Sequence, residues 1–255
     1  MARETRKISG GRRWRFWLGG IAVLGVCGST ALAAYKVHDF AVTSPSFKLS
    51  RERNGALTIE GLRYAARSSV LRVFDGDFNR SIFSTPLGER RRRLLGIDWV
   101  EDASVSRVWP DRLIVRIRER RPVAFVSFSS GVLLIDAHGV LLDPPAQSHF
   151  SFPVLSGIRE DQDEAHRAEC VQTLLRLQKD LGSHAADISE VDASDPDNVL
   201  VVVHADNQTV ELLLGDSDFG VRYRRFLAHF AEIRKKSPGG KIFDLRLDDR
   251  ITVKE

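Results

Sequence analysis

Seven histidines, two cysteines and one acidic run are the side chains in this 255-residue chain best suited to catalysis or metal binding. Their spacing suits neither. No His-Glu-x-x-His pair sets two imidazoles on one helix face, as zinc chemistry requires. His138 stands in a turn and His204 at a strand end, ordinary places for a solvated imidazole. Cys27 falls in an apolar N-terminal stretch and Cys170 on the apolar side of a helical pattern. Neither belongs to a Cys-x-x-Cys pair, so neither a disulfide nor a zinc site is expected, and Cys170 reads as a small core residue. There is no Gly-x-Ser-x-Gly elbow to expose a nucleophilic serine. Gly239-Gly240-Lys241 lacks the spacing of a phosphate-binding loop. The acidic run 159–164, "REDQDE", opens a helical pattern, where carboxylates complement the helix dipole, and it lacks the ligand order of a calcium loop. With no convergent nucleophile, base or metal set, the chain is expected to be no enzyme, with no cofactor, metal or small-molecule substrate.

The charged residues point the same way. The net charge is +4 and the isoelectric point about 9.3. Arg3, Arg6, Lys7, Arg12, Arg13 and Arg15 stand against Glu4 alone, so residues 1–15 carry the basic excess. That is a basic tail rather than a nucleic-acid-binding surface. In "RIRERRP", alternation puts Arg116 and Arg118 on one exposed strand face. The arginine run 90–93 reads as a solvated helix face rather than a phosphate or lipid contact.

The elements that would position such residues begin with an apolar span. Residues 16–35, "FWLGGIAVLGVCGSTALAAY", hold no charge over 20 positions. That matches one helix across a bilayer core. Trp14, Trp17 and Tyr35 stand near its ends like interfacial anchors, and the positive-inside rule keeps the basic tail cytoplasmic. The rival reading is a cleaved signal, with Ala31-Leu32-Ala33 as the cleavage pattern and Arg12-Arg13 as a twin-arginine motif. Both place the remaining body outside the cytoplasm. Residues 36–46 read as a short linker containing Ser and Pro.

A first unit is expected from 47 to 121. Strand-like "FKLS" and "LTIEG" open it. A short helix follows over "SSVLRVFDG", capped by Ser68 or Ser69 and stopped at Gly76. A second helix follows with Thr85 as cap, Pro86 at its first position and Gly96 at its end. Leu87, Leu94 and Leu95 would face inward. Two strands with period-2 alternation then flank the turn Pro110-Asp111, with Leu113, Val115 and Ile117 on one face. The order is strand, helix, helix, strand, strand.

A second unit is expected from 122 to 255. "VAFVSF" and "GVLLIDAHGVLL" read as strands around a tight turn at Ala137-His138-Gly139. "FPVLSG" follows. Cys170, Leu174, Leu177 and Leu181 recur at helical spacing before Gly182. Strands "ISEVDAS", "NVLVVVHA" and "TVELLLG" come next, the last two joined at Asp206-Asn207. A helix capped by Ser217 or Asp218 runs to about Lys236, with Phe226, Phe230 and Ile233 on its buried face. "KIFDLRL" reads as a long final strand that "ITVK" continues. A terminal strand is either paired within its own sheet or left as an edge that another chain's strand can join.

Residues 98–124, "DWVEDASVSRVWPDRLIVRIRERRPVA", together with "LIDAHGVLL", "FPVLSG" and "FDLRL" in that order, resemble the FtsQ/DivIB family of bitopic bacterial cell-division proteins. The motif positions are Trp99-Val100, Arg107, Trp109-Pro110, Leu113, Glu119-Arg120 and Pro122-Val123-Ala124. The resemblance implies a mixed α+β chain: cytoplasmic tail 1–15, transmembrane helix 16–35, linker 36–46, POTRA domain 47–121 and β domain 122–255. It also implies a divisome scaffold at the septum of the inner membrane, linking early and late division proteins without turnover. By the same resemblance the FtsB–FtsL coiled-coil pair binds at Phe243, Asp244, Leu245, Arg246, Leu247, Asp248 and Asp249, by strand addition at the C-terminal strand. Leu247 stands where the family often has an aromatic residue, which leaves a smaller apolar contact. The alternative is a POTRA-bearing envelope factor for protein export or outer-membrane assembly, taking client strands near 113–119. Against it, the chain shows no barrel pattern and no repeated POTRA units.

Overall fold

The computed structural model describes residues 11–146, 148–205, 208–247 and 249–254, with side chains from residue 24 onward. Their contacts divide into two units. One comprises the residues through Ile97 with Asp102–Arg118, and the other Asp98–Glu101 with Glu119–Glu255.

The first unit begins with helix α1, Gly11–Thr43. The apolar stretch 16–35 lies along it, its first part outside the described side chains, and the tail through residue 10 lies outside the described residues altogether. Among the described residues no helix is long and apolar enough to cross a membrane. The stretch 36–46 differs from a linker: α1 continues through Thr43, because no glycine or proline falls between Gly28 and Pro45. Thr43 Oγ1 donates back to the Asp39 carbonyl at 2.7 Å. Ser44 then caps a 3₁₀ turn, Pro45–Phe47, by accepting from the Ser46 N–H.

"FKLS" is not a sheet strand. Lys48 makes one bridge with Ser81, and Leu49 is fully buried with its N–H on the Arg80 carbonyl. Strand β1 (Leu57–Glu60) follows, then α2 (Arg67–Val73), α3 (Leu87–Leu95), β2 (Val100–Val108) and β3 (Arg112–Glu119). The sheet order is β1-β3-β2. β1 runs parallel to β3, with Leu57 opposite Leu113. Hence 113–119, the stretch that a client strand would need as an edge, is the central strand.

Both helix starts shift from expectation. α2 is capped at Ala66, without a side-chain bond, so Ser68 and Ser69 lie inside its first turn. α3 is preceded by Pro86 as cap. Thr85 does not cap it; its carbonyl instead accepts Arg107 Nη2 at 2.7 Å. Leu94 is buried, whereas Leu87 and Leu95 are half-buried.

The arginine run is only partly a solvated face. Arg92 and Arg93 are exposed, but Arg90 is 8% exposed and grips Asp77, itself 2% exposed. Nε and Nη2 of Arg90 reach the two carboxylate oxygens at 2.6 and 3.0 Å. Helical geometry turns Arg90 inward beside Leu94, four residues on. Arg91 donates to the Ala103 carbonyl and the Asp102 carboxylate, tying α3 to β2.

Among the described residues the second unit is one sheet of nine strands with two α-helices. Its elements are β4 (Pro122–Phe128), β5 (Gly131–Asp136), β6 (Leu141–Leu142), β7 (Val154–Ser156), α4 (Glu164–Leu181), β8 (Ile188–Asp192), β9 (Val199–Ala205), β10 (Gln208–Gly215), α5 (Phe219–Lys236), β11 (Ile242–Asp244) and β12 (Thr252–Lys254). The sheet order is β12-β11-β10-β9-β8-β7-β4-β5-β6. The turn expected at Asp206-Asn207 lies outside the described residues.

Cys170, Leu174, Leu177 and Leu181 of α4 enter one core with Phe219, Phe226 and Phe230 of α5 and the inner residues of β8, β9 and β10. Asp163 caps α4 by accepting from the His166 N–H at 2.7 Å. Gly182 ends it at φ 58, a left-handed backbone that glycine adopts freely. Asp218 begins α5 in a left-handed conformation without a side-chain cap, since the Ser217 hydroxyl is turned to Asp216.

Residues 98–101 join this unit through Arg120. Its Nε donates to the Asp98 carbonyl, its N–H to the Trp99 carbonyl, and its Nη1 to buried Asp136 at 2.8 Å. Asp136 also accepts the His138 and Val140 N–H groups, closing the turn over Ala137-His138-Gly139.

The Arg90–Asp77 pair generates the first prediction. Asp77→Ala strands a buried guanidinium and is expected to cost about 3–5 kcal/mol, whereas Asp77→Ala with Arg90→Met together is expected to cost clearly less. Urea denaturation of the single and double variants measures the difference.

Candidate functional site: the C-terminal hairpin

Of the residues that could bind a partner, 243–249, those described fall toward one end of the sheet. They divide into two classes. Phe243 and Leu245 are fully buried. The Phe243 ring packs edge-on against Phe226 at 5.2 Å and Phe230 at 5.8 Å, both on α5. The Leu245 N–H donates to the Leu213 carbonyl at 3.0 Å. These two residues therefore position the segment. Arg246, Leu247 and Asp249 are exposed, Asp244 is half-buried, and Asp248 lies outside the described residues.

The strand itself is shorter than its sequence suggests and is not an edge. β11 holds three residues. It runs parallel to β10, with Phe243 opposite Leu212, and antiparallel to β12, with Phe243 opposite Val253. "ITVK" thus folds back as a separate strand instead of extending the first. The cause lies in Asp244. Its carboxylate accepts the Arg246 N–H at 3.1 Å, a local side-chain bond that offers the backbone an alternative to the ladder. The same carboxylate receives Arg246 Nε at 2.9 Å and Nη2 at 2.6 Å. Arg246 Nη1 continues to Asn198 at 2.7 Å.

Arg225 fixes the segment from the other side. Its Nη2 donates to the carbonyls of Leu245 and Leu247 at 2.8 and 2.7 Å. Leu247 is 45% exposed on this braced backbone. Beyond it, Asp249, Arg250 and Ile251 line a groove of about 220 Å³ with Arg225, His229 and Ile233 of α5. Nothing in the sequence marks Arg225 or Asn198. Arg225 is one basic residue among several on α5, and its use depends on a turn 20 residues away.

The electrostatics are structural. The Arg246 hydrogen bond, the largest influence, holds the Asp244 carboxyl below the usual carboxylate range against the opposing effect of burial. Burial pushes the Cys170 thiol up, away from the thiolate form that reactive cysteines need. His138 and His204 are exposed. Among the described residues no group of His, Cys, Asp and Glu could hold a metal ion.

Comparison with known proteins shows the family to which the chain is related. Residues 124–246 match the family described as cell division protein FtsQ/DivIB, C-terminal, and residues 55–120 match the POTRA domain, FtsQ-type. A cell division protein FtsQ from Koribacter versatilis is 37% identical over 241 residues, covering 91% of this chain and 67% of that protein. An FtsQ from Shewanella oneidensis is 27% identical over 248 residues, covering 94% and 86%. A solved structure, the major extracytoplasmic domain of the trans isomer of the cell division protein DivIB from Geobacillus stearothermophilus, shares 22% identity. It covers 47% of this chain and 95% of that one, with a TM-score of 0.28, too low to establish a shared arrangement.

The Asp244–Arg246 fork has a pH signature. Asp244 has a depressed folded pKa, so its contribution is present above the unfolded carboxylate value near 4 and is lost as pH falls through the folded value. Because Arg246 is largely exposed, that contribution is at most about 1 kcal/mol. The urea midpoints of wild type and Asp244→Asn are expected to differ at neutral pH and to converge under acid conditions.

Proposed function

The chain belongs to the FtsQ/DivIB family of bacterial cell-division proteins, and from that we propose that it is a non-catalytic, membrane-anchored scaffold of the divisome. It links early and late division proteins at the septum. Residues 1–15 form its cytoplasmic tail and 16–35 its single transmembrane helix, and the stretch expected as a linker, 36–46, continues that helix through Thr43. The POTRA domain at 47–121 and the β domain at 122–255 then lie outside the cytoplasm. The uninterrupted α1 helix and the hydropathy of 16–35 support the anchor. The family matches at 55–120 and 124–246 support the two-domain division.

The partner-binding element is the C-terminal hairpin, and its partner is the FtsB–FtsL pair. Exposed Leu247, held in place by Arg225 on both the 245 and 247 carbonyls, carries this reading. An apolar side chain on a braced backbone binds without a large ordering cost. Asp244, Arg246 and Asp249 supply charge suited to a polar rim, while Phe243 and Leu245 hold the hairpin to the sheet. Strand addition falls at β12, since both sides of β11 are already paired.

A fluorescent fusion at Met1 in dividing cells tests the scaffold role: concentration of the full-length product at the septum is expected, and an even envelope signal would count against it. Leu247→Asp is expected to weaken capture of the FtsB–FtsL pair about tenfold or more without moving the urea midpoint. Undiminished capture would remove the hairpin from the reading. Leu245→Pro is the wrong probe, because it deletes the bond to Leu213 and damages the fold itself.

A further inference from the structure

We propose that an aromatic cluster at the C-terminal end of α1 rests on the bilayer surface. Trp109 and Phe40 would sit within the headgroup layer of the leaflet from which α1 emerges. The proposal builds on the anchor reading above.

Four rings meet there, all in the first unit. Phe47 stands edge-on to Phe40 at 5.9 Å, Phe83 at 5.2 Å and Trp109 at 5.9 Å. Phe83 and Trp109 are 5.3 Å apart. The inner two rings are half-buried, but Phe40 is 62% exposed and Trp109 69% exposed. Exposed rings of this size in one patch mark an interaction surface.

The cluster is held rigidly. Ser81 Oγ donates to the Ala41 carbonyl at 2.7 Å, locking the end of α1 to the loop before Phe83. Arg107 Nε donates to the Ile82 carbonyl at 2.7 Å, setting Phe83 beside the hairpin tip. Arg53 pairs with buried Asp111 and pins the turn that carries Trp109.

Position identifies the occupant. Phe40 lies five residues beyond Tyr35, the end of the uncharged span. In a continuous helix that is a rise of about 7.5 Å. The interfacial layer on each side of the hydrocarbon core is about 5–8 Å thick, so this step reaches its outer part. Trp and Phe suit that layer, and Trp does so with its indole N–H kept wet. A surface held so near the membrane by a helix with no break faces lipid first.

The test uses the full chain with Trp14→Phe and Trp17→Phe, reconstituted in phosphatidylcholine–phosphatidylglycerol vesicles. Half the samples contain lipid brominated near the headgroup end of the acyl chain. Trp109 and the buried Trp99 are the remaining fluorophores. Bromine is expected to quench about half the emission, and Trp109→Phe to abolish that quenching. Equal emission with and without bromine, from a chain that resists alkaline extraction, would overturn the lipid contact and leave the anchor standing. Release of the chain by alkali would overturn the anchor, and the lipid contact with it.

Discussion

Phe243 is the point on which the end of the larger unit depends. The sheet formed by the described residues stops at β12, and β12 has nothing to pair with unless β11 is held in place. The three-residue β11, next to that edge, cannot hold its place through ladder bonds alone. It is held because its central ring is driven into the aromatic face of α5, between Phe226 and Phe230. Burying one phenylalanine contributes roughly 2–3 kcal/mol, comparable to several net backbone hydrogen bonds. With Phe243 fixed, Leu245 reaches Leu213, Arg225 reaches the 245 and 247 carbonyls, and β12 has a strand to fold back upon.

The same hairpin shows where sequence patterns stop being informative. Alternation in "LIVRIRE" identified β3 correctly, since Leu113, Val115 and Ile117 form its buried face. Helical spacing of Cys170, Leu174, Leu177 and Leu181 identified α4 with its stop at Gly182. Those signals are local, and their physical cause lies within a few residues. "KIFDLRL" also alternates, but the Asp244 carboxylate captures the Arg246 backbone and ends the ladder early. An Asp two residues before an Arg gives little warning of that outcome. Arg90 is a stronger case. Four consecutive arginines read as a solvated face, yet the first is buried by a carboxylate 13 positions earlier. In the 36–46 stretch the helix breakers, Ser44 and Pro45, come only at the end, and the residues before them are compatible with the helix they continue.

Both units use arginine in the same way. Arg107, Arg120 and Arg225 each donate to backbone carbonyls in turns and loops. A guanidinium offers several donors in a fixed plane, so one side chain can tie two turns together. The loops that follow are ordered without disulfides: Cys27 is exposed and Cys170 buried, and both are free.

The continuity of α1 has a mechanical consequence. Its last turn is bonded directly to the small unit through Ser81 and Phe47, with no slack residues between. Torque about the helix axis therefore passes into the unit instead of being lost in a swivel. Each residue of an α-helix advances the azimuth by about 100°. Adding or removing a single residue between Tyr35 and Thr43 would re-aim the whole unit by more than a quarter turn while changing its height by only about 1.5 Å. The length of this segment therefore acts as a compass setting far more than as a spacer.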